Sequence, residues 1–329
     1  MNKEEYSSIT LRPYQLLCTV CSLGEEKLEP NKVFEAIRKN PDVPITLRCN
    51  AGDVYVYQDA GIEEDTSEGS EYNRKRDLDI LQRLDMAPGD TLPARTLFFR
   101  LLKMIPTVSE ICGYDAVTSD AWKGCPKAKS GYYEEGHQKG INAIIPCRDE
   151  DEMVKEKKIS VEEMYRANEL AIRPHILMCL VCIIGGSGNI NMEPLKADNL
   201  IEFLDIIRNN PDTSVTLVKG ADWMICAPCP YRAIELNACV NVNGSGGLSN
   251  ELRDLNLLQK LGLTYGTTMK AKELYKLIFE RIPTTVEICT KINPSHSVWW
   301  DGCSAIESGN ESYKRGREIL ITHYTSLIS

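Results

Sequence analysis

The residues with chemistry to offer are cysteines. The chain holds 13 of them, and the sharpest local arrangement is Cys226-Ala227-Pro228-Cys229, followed by Cys239. Two residues between thiolates let both sulfurs reach one metal from a tight turn, and Pro228 and Pro230 stiffen that turn. Cys239 is near enough to add a third ligand, and Cys289 or Cys303 would supply a fourth from the C-terminal segment. Four thiolates accept Zn²⁺ and an iron–sulfur cluster alike. A full set of protein ligands points to a structural or electron-transfer role, because catalysis at a metal needs an open position.

The same residues admit other readings. A Cys-x-x-Cys pair also serves thiol enzymes, where a helix N-terminus lowers the thiol pKa. Here the flanking prolines and the third cysteine suit ligation better. Cys18, Cys21, Cys179 and Cys182 lie in apolar helix sequence, where cysteine behaves as a small hydrophobe. His175 suits a capping or packing role ahead of ligation. The run Gly185–Asn189 lacks the order of a nucleotide-binding glycine motif and reads as a flexible loop rather than an anion cradle. With four histidines in all, spacing supports no Ser-His-Asp arrangement.

The elements that must position these residues occur twice. Leu11-Arg12-Pro13 through Leu17-Cys18-Thr19-Val20-Cys21 is echoed by Ile172-Arg173-Pro174 through Met178-Cys179-Leu180-Val181-Cys182, at an offset of 161. Ile37 to Asp42 matches Ile207 to Asp212, at an offset of 170. Arg76-Asp77-Leu78 matches Arg253-Asp254-Leu255 at 177, and that offset holds through Ile105-Pro106 against Ile282-Pro283 and Cys112 against Cys289. Trp122-Lys123-Gly124-Cys125 then matches Trp300-Asp301-Gly302-Cys303. Offsets that grow stepwise are what loop insertions between fixed elements produce. The chain therefore reads as a tandem duplication: residues 1–147, a charged linker or helix over 148–165, and residues 166–329. The first repeat has Tyr55-Val56-Tyr57-Gln58 where the second carries its Cys-x-x-Cys, so it reads as a degenerate copy.

Each Arg-Pro predicts a helix whose first turn tolerates proline, with Ile172, Ile176 and Leu180 on one face. Leu200, Phe203, Leu204 and Ile207 show amphipathic helix spacing. Residues 44–47 and 214–218 read as strands. Two more helices carry Leu255, Leu258, Leu261 and Leu274, Leu277, Ile278, the latter ending near Ile-Pro. The expected fold is α+β, a mainly helical tandem repeat of two similar units, each with a small β element, packed with pseudo-two-fold symmetry.

A net charge of −9 argues against a nucleic-acid partner, which demands clustered Lys and Arg. The densest basic patch, Lys155–Lys158, adjoins the acidic Asp149–Glu152 and reads as a solvated helix or linker. No run of apolar residues is long enough for a membrane span, and no secretory leader opens the sequence. A cytoplasmic protein is expected, where cysteines stay reduced and serve as ligands, reactive thiols or core.

The second repeat resembles a family of small bacterial and archaeal proteins described as iron–sulfur binding, which open with Arg-Pro-His-His-Leu-Leu-Cys. That element stands here as Arg173-Pro174-His175-Ile176-Leu177-Met178-Cys179. Gly220-Ala221-Asp222-Trp223-Met224-Ile225-Cys226, Arg253-Asp254, Leu261-Gly262-Leu263 and the tail with Cys289, Trp300 and Cys303 follow the family order. The resemblance implies an iron–sulfur cluster of the 4Fe–4S kind, with Zn as the alternative, and a redox or protein partner. It implies no activity. A thiol-dependent enzyme using Cys226 and Cys229, or a binding module built on the first repeat, are the competing readings.

Overall fold

A computed structural model describes residues 8–25, 32–234, 237–240, 247–289 and 306–323. The chain divides into two units, Met1–Cys147 and Arg148–Ser329. Both are mixed α+β, with helices dominant and small sheets.

In the first unit, β1 (Ile9–Leu11) leads into α1 (Pro13–Gly24), followed by α2 (Lys32–Lys39), β2 (Pro44–Leu47), α3 (Ser70–Leu84), β3 (Thr91–Pro93), α4 (Ala94–Met104), α5 (Tyr132–Lys139) and α6 (Ile141–Ile144). β2 is the central strand, parallel to β1 with Ile9 opposite Ile45, and antiparallel to β3. Its alternation turns Ile45 and Leu47 into the core, as a strand with one covered face requires.

The second unit opens with α7 (Glu150–Arg166), which takes up the charged stretch. Asp149 caps it by accepting from the Glu152 amide at 2.8 Å. Its buried Ser160 and Met164 face inward, and Lys157 pairs with the buried Glu202 of the next amphipathic helix at 2.5 Å. Then come β4 (Glu169–Ile172), α8 (Pro174–Ser187), α9 (Leu200–Asn209), β5 (Ser214–Leu217), β6 (Arg232–Ala233), β7 (Ala238–Cys239), α10 (Gly247–Leu261), β8 (Thr268–Lys270), α11 (Ala271–Arg281), α12 (Val286–Cys289) and α13 (Ile306–His323). β5 is again central, parallel to β4 and antiparallel to β8. Among the described residues no helix is long and apolar enough to cross a membrane.

Two expectations need correction. Ile172 belongs to β4 rather than to the following helix, because the Arg173 backbone is extended and α8 begins at Pro174. Gly185 and Gly186 are no loop; they continue α8, which ends at Ser187 and is capped by Gly188. The reason is close packing: a Cβ on Gly185 would lie 1.7 Å from the Ser312 carbonyl oxygen of α13, and one on Gly316 would lie 2.0 Å from that of Val181. Gly24 and Gly136 make the same close approach between α1 and α5. Only glycine lets these backbones meet.

The Arg-Pro and Arg-Asp motifs meet in both units. Arg12 Nε donates to Asp77 at 2.8 Å, and Asp77 also accepts the Tyr14 amide at 3.0 Å. Arg173 Nε donates to Asp254 at 2.9 Å, and Asp254 accepts the His175 amide at 3.0 Å. Each aspartate thus balances a buried arginine and caps the first turn of α1 or α8, where a carboxylate is favoured by the helix dipole.

Candidate metal centre

The Cys-x-x-Cys turn follows from local hydrogen bonding after β5. Asp222 Oδ1 accepts the amides of Met224 at 2.9 Å and Ile225 at 2.8 Å. The Cys226 amide donates to the Asp222 carbonyl, and the Cys229 amide to that of Cys226 at 3.0 Å. The β6–β7 hairpin then places Cys239 opposite Arg232, returning the third cysteine to the turn it left. Arg148 at the foot of α7 clamps the turn by donating to the carbonyls of Ala227 at 2.5 Å and Cys229 at 3.0 Å. Asn199 Nδ2 donates to the Met224 carbonyl from the start of α9.

Charge distribution sets the chemistry. Burial raises the Cys226 thiol well above its ordinary value, and the neighbouring Asp222, Cys229 and Cys239 push it further, against Arg173. Burial and Cys239 likewise raise Cys229, with Arg148 opposing. Asp222 is 5% exposed, and one of its carboxylate oxygens has no hydrogen-bond partner. Burial pushes that carboxyl up to about 6. Asn250 reaches the Cys239 sulfur at 3.9 Å. Arg12 in the first unit faces two carboxylates, Asp65 and Asp77. Arg173 in the second keeps Asp254 and has the thiols of Cys239 and Cys226 as further neighbours.

Of the sequence-predicted set, Cys226 and Cys229 lie on one turn and Cys239 on the second strand of the hairpin that follows it. Cys289 ends α12, its amide donating to the Thr285 carbonyl at 2.8 Å; it shares the neighbourhood of the Tyr313 hydroxyl with Cys182. Cys303 and Trp300 lie outside the described residues. Among the described residues no three His, Cys, Asp or Glu side chains are placed to hold a single metal ion. His175 is buried with its ring Nδ1 2.6 Å from Asp254, which occupies it in the polar core. Arg148 and Arg173 are the site residues that sequence reasoning missed as such. Arg173 had a signal, in the Arg-Pro and Arg-Asp motifs recurring together; Arg148 had none, since its contacts span some 80 residues.

A protein-family model described as a protein of unknown function (DUF1284) matches residues 197–294, which include the Cys-x-x-Cys turn, Cys239 and Cys289. No curated protein and no solved structure matches the chain.

Proposed function

We propose that the second unit binds an iron–sulfur cluster through Cys226, Cys229 and Cys239, with Cys289 or Cys303 as fourth ligand, in a structural or electron-transfer role. The observation that carries this reading is the hairpin that returns Cys239 to the Cys226–Cys229 turn. Each of the half-buried thiols of Cys226, Cys229 and Cys239 must lose its proton to become a ligand, and the bonds to a metal group repay that deprotonation. An iron–sulfur cluster ranks above Zn²⁺. With Zn–S bonds near 2.3 Å, a tetrahedral ion needs its sulfurs about 3.8 Å apart, whereas a cluster puts each thiolate on its own iron. The preference rests on the resemblance of the second repeat to an iron–sulfur-binding family, carried by Arg173-Pro174-His175 and Cys179.

The thiol-enzyme reading fares less well, because a nucleophilic cysteine needs a lowered pKa and Cys226 is raised. The test is iron, sulfide and zinc analysis with a visible spectrum on full-length protein purified without oxygen. Iron and labile sulfide that fall in Cys226→Ser and Cys229→Ser variants uphold the proposal; zinc alone, or no metal, defeats it.

A further inference from the structure

A cavity of about 290 Å³ lies in the second unit between Tyr165 of α7, helix α9 and residues 190–194, and no cysteine lines it. Its size falls at the lower end of ligand pockets, which run from about 300 to 1,000 Å³. Ile190, Met192 and Leu204 supply apolar wall. Glu202 and Asp205 stand three positions apart on α9 and so share a face. The walls are tied together by side chains. Arg208 donates to Asp205 at 2.7 Å and to the Asn191 side-chain oxygen at 2.6 Å, which fastens the 190–194 segment to the helix. The Tyr165 hydroxyl donates to the other Asp205 oxygen at 2.9 Å. Both oxygens of that carboxylate are therefore engaged by the protein itself.

Glu202 is the group left over. Its side chain is only 7% exposed, and Lys157 of α7 pairs with Oε1 at 2.5 Å. Oε2 has no hydrogen-bond partner. Lys157 also donates to the Asp198 carbonyl at 2.6 Å, so its donors are shared. Glu193 lines the cavity as well, which sets three carboxylates there against the two cations Arg208 and Lys157. A buried carboxylate oxygen without a donor carries its desolvation cost uncompensated. A cationic N–H supplied from the cavity would meet that need with a charge-assisted hydrogen bond. The terminal torsion of a glutamate is soft, so a small turn of the carboxylate brings Oε2 to an incoming donor without moving α9.

We propose that this cavity binds a small organic cation: a primary ammonium group on a short apolar body. The ammonium donates to Glu202 Oε2, and the body lies on Ile190, Met192 and Leu204. The donor requirement selects among cations. An ammonium carries N–H groups and no acceptor, whereas a quaternary nitrogen has no proton to give to Oε2. A hard metal ion takes six or more oxygens, and among the described residues no three acidic, His or Cys side chains are placed to hold one. The apolar wall favours a ligand with a hydrocarbon portion over a bare ion. At the offset of 170 that aligns α9 with α2, the first repeat has Lys32 where the second has Glu202, so the site belongs to the second repeat alone. The proposal uses no cysteine and stands apart from the function proposed above.

The test is an NMR titration of the isotope-labelled full chain with n-butylammonium chloride at constant ionic strength. Saturable shifts are expected at the amides of residues 190–194 and of α9. n-Butanol, sodium butyrate and tetramethylammonium chloride, which lack the charge, reverse it or lack the N–H, should leave those amides unmoved. Glu202→Gln removes the carboxylate and should weaken butylammonium binding about tenfold or more. Met192→Phe fills the cavity while keeping Glu202 and Lys157, and should abolish binding; it decides the matter if Glu202→Gln does not fold. A Cys226→Ser/Cys229→Ser variant should bind butylammonium as the wild type does, so failure of the cluster reading leaves this site intact. No saturable shift, an equal response to n-butanol or tetramethylammonium, displacement of butylammonium by an equal concentration of Mg²⁺, or unchanged binding in either folded variant would overturn the proposal.

Discussion

The Cys125 amide donates to the Cys112 carbonyl at 2.7 Å, so two cysteines from separate loops are held as neighbours by backbone rather than by side chains. Their spacing does not depend on the thiols. The hairpin that sets Cys239 opposite Arg232 is the counterpart device in the second unit.

Tyr72 is the other support of the Cys112–Cys125 crossing, 1% exposed and bonded to both cysteine backbones. Tyr72→Phe leaves the Cys112 carbonyl with one partner fewer in a buried place. The expected cost is about 1–3 kcal/mol, read as a lower urea midpoint for the first unit. An unchanged midpoint would mean that the crossing needs no side-chain support.

Neighbouring glycines in α8 should respond with opposite sign. Gly185→Ala drives a Cβ to 1.7 Å from the Ser312 carbonyl, and relief requires moving α13, at about 1–3 kcal/mol or more. Gly186→Ala meets nothing nearer than the Ser312 hydroxyl at 3.8 Å. It should stabilise by about 0.5–1 kcal/mol through reduced freedom of the unfolded chain. Equal effects in paired denaturation curves would refute the close helix contact.

Buried and surface ion pairs should differ as well. Arg173→Met strands Asp254, whose side chain is wholly buried, and is expected to cost about 3–5 kcal/mol. Arg208→Met breaks a partly exposed pair with Asp205 and should cost no more than about 1 kcal/mol. Calorimetry of the two variants decides the matter.

How far the fold was legible depended on the range of the forces involved. The helix around Leu200, Phe203 and Leu204 and the strands at 44–47 and 214–217 announce themselves through local periodicity. β1 and β4 do not, because strands of three or four residues exist only through their parallel partners. α13 was equally hidden: it docks through Gly316 and a buried Tyr313, with little apolar stripe to betray it. Spacing singled out the Cys226–Cys229 turn and read Cys21 as packing, and Cys21 does lie partly buried against the core of the first unit. The backbone crossing of Cys112 and Cys125 had no local signal, because tertiary structure alone brings the two together.

The polar core of the second unit should make it acid-sensitive. Burial lowers the His175 pKa below its ordinary 6.5; the Asp254 hydrogen bond opposes this, while Arg253 and Arg173 reinforce it. The unfolded chain therefore takes up this proton before the native state does, and stability present above pH 6.5 is lost as pH falls through that value. Asp254 adds to the loss further down. Burial alone would raise it, but His175 and Arg173 hold it below 3.8, so its contribution disappears only as pH drops under that figure. Hydrogen exchange of the α8 and α10 amides should accelerate between about pH 7 and pH 5 beyond the intrinsic trend, and less so in His175→Gln. Identical pH profiles for the two proteins would mean that the buried imidazole does not govern this region's opening, and that Asp254 is balanced by Arg173 alone.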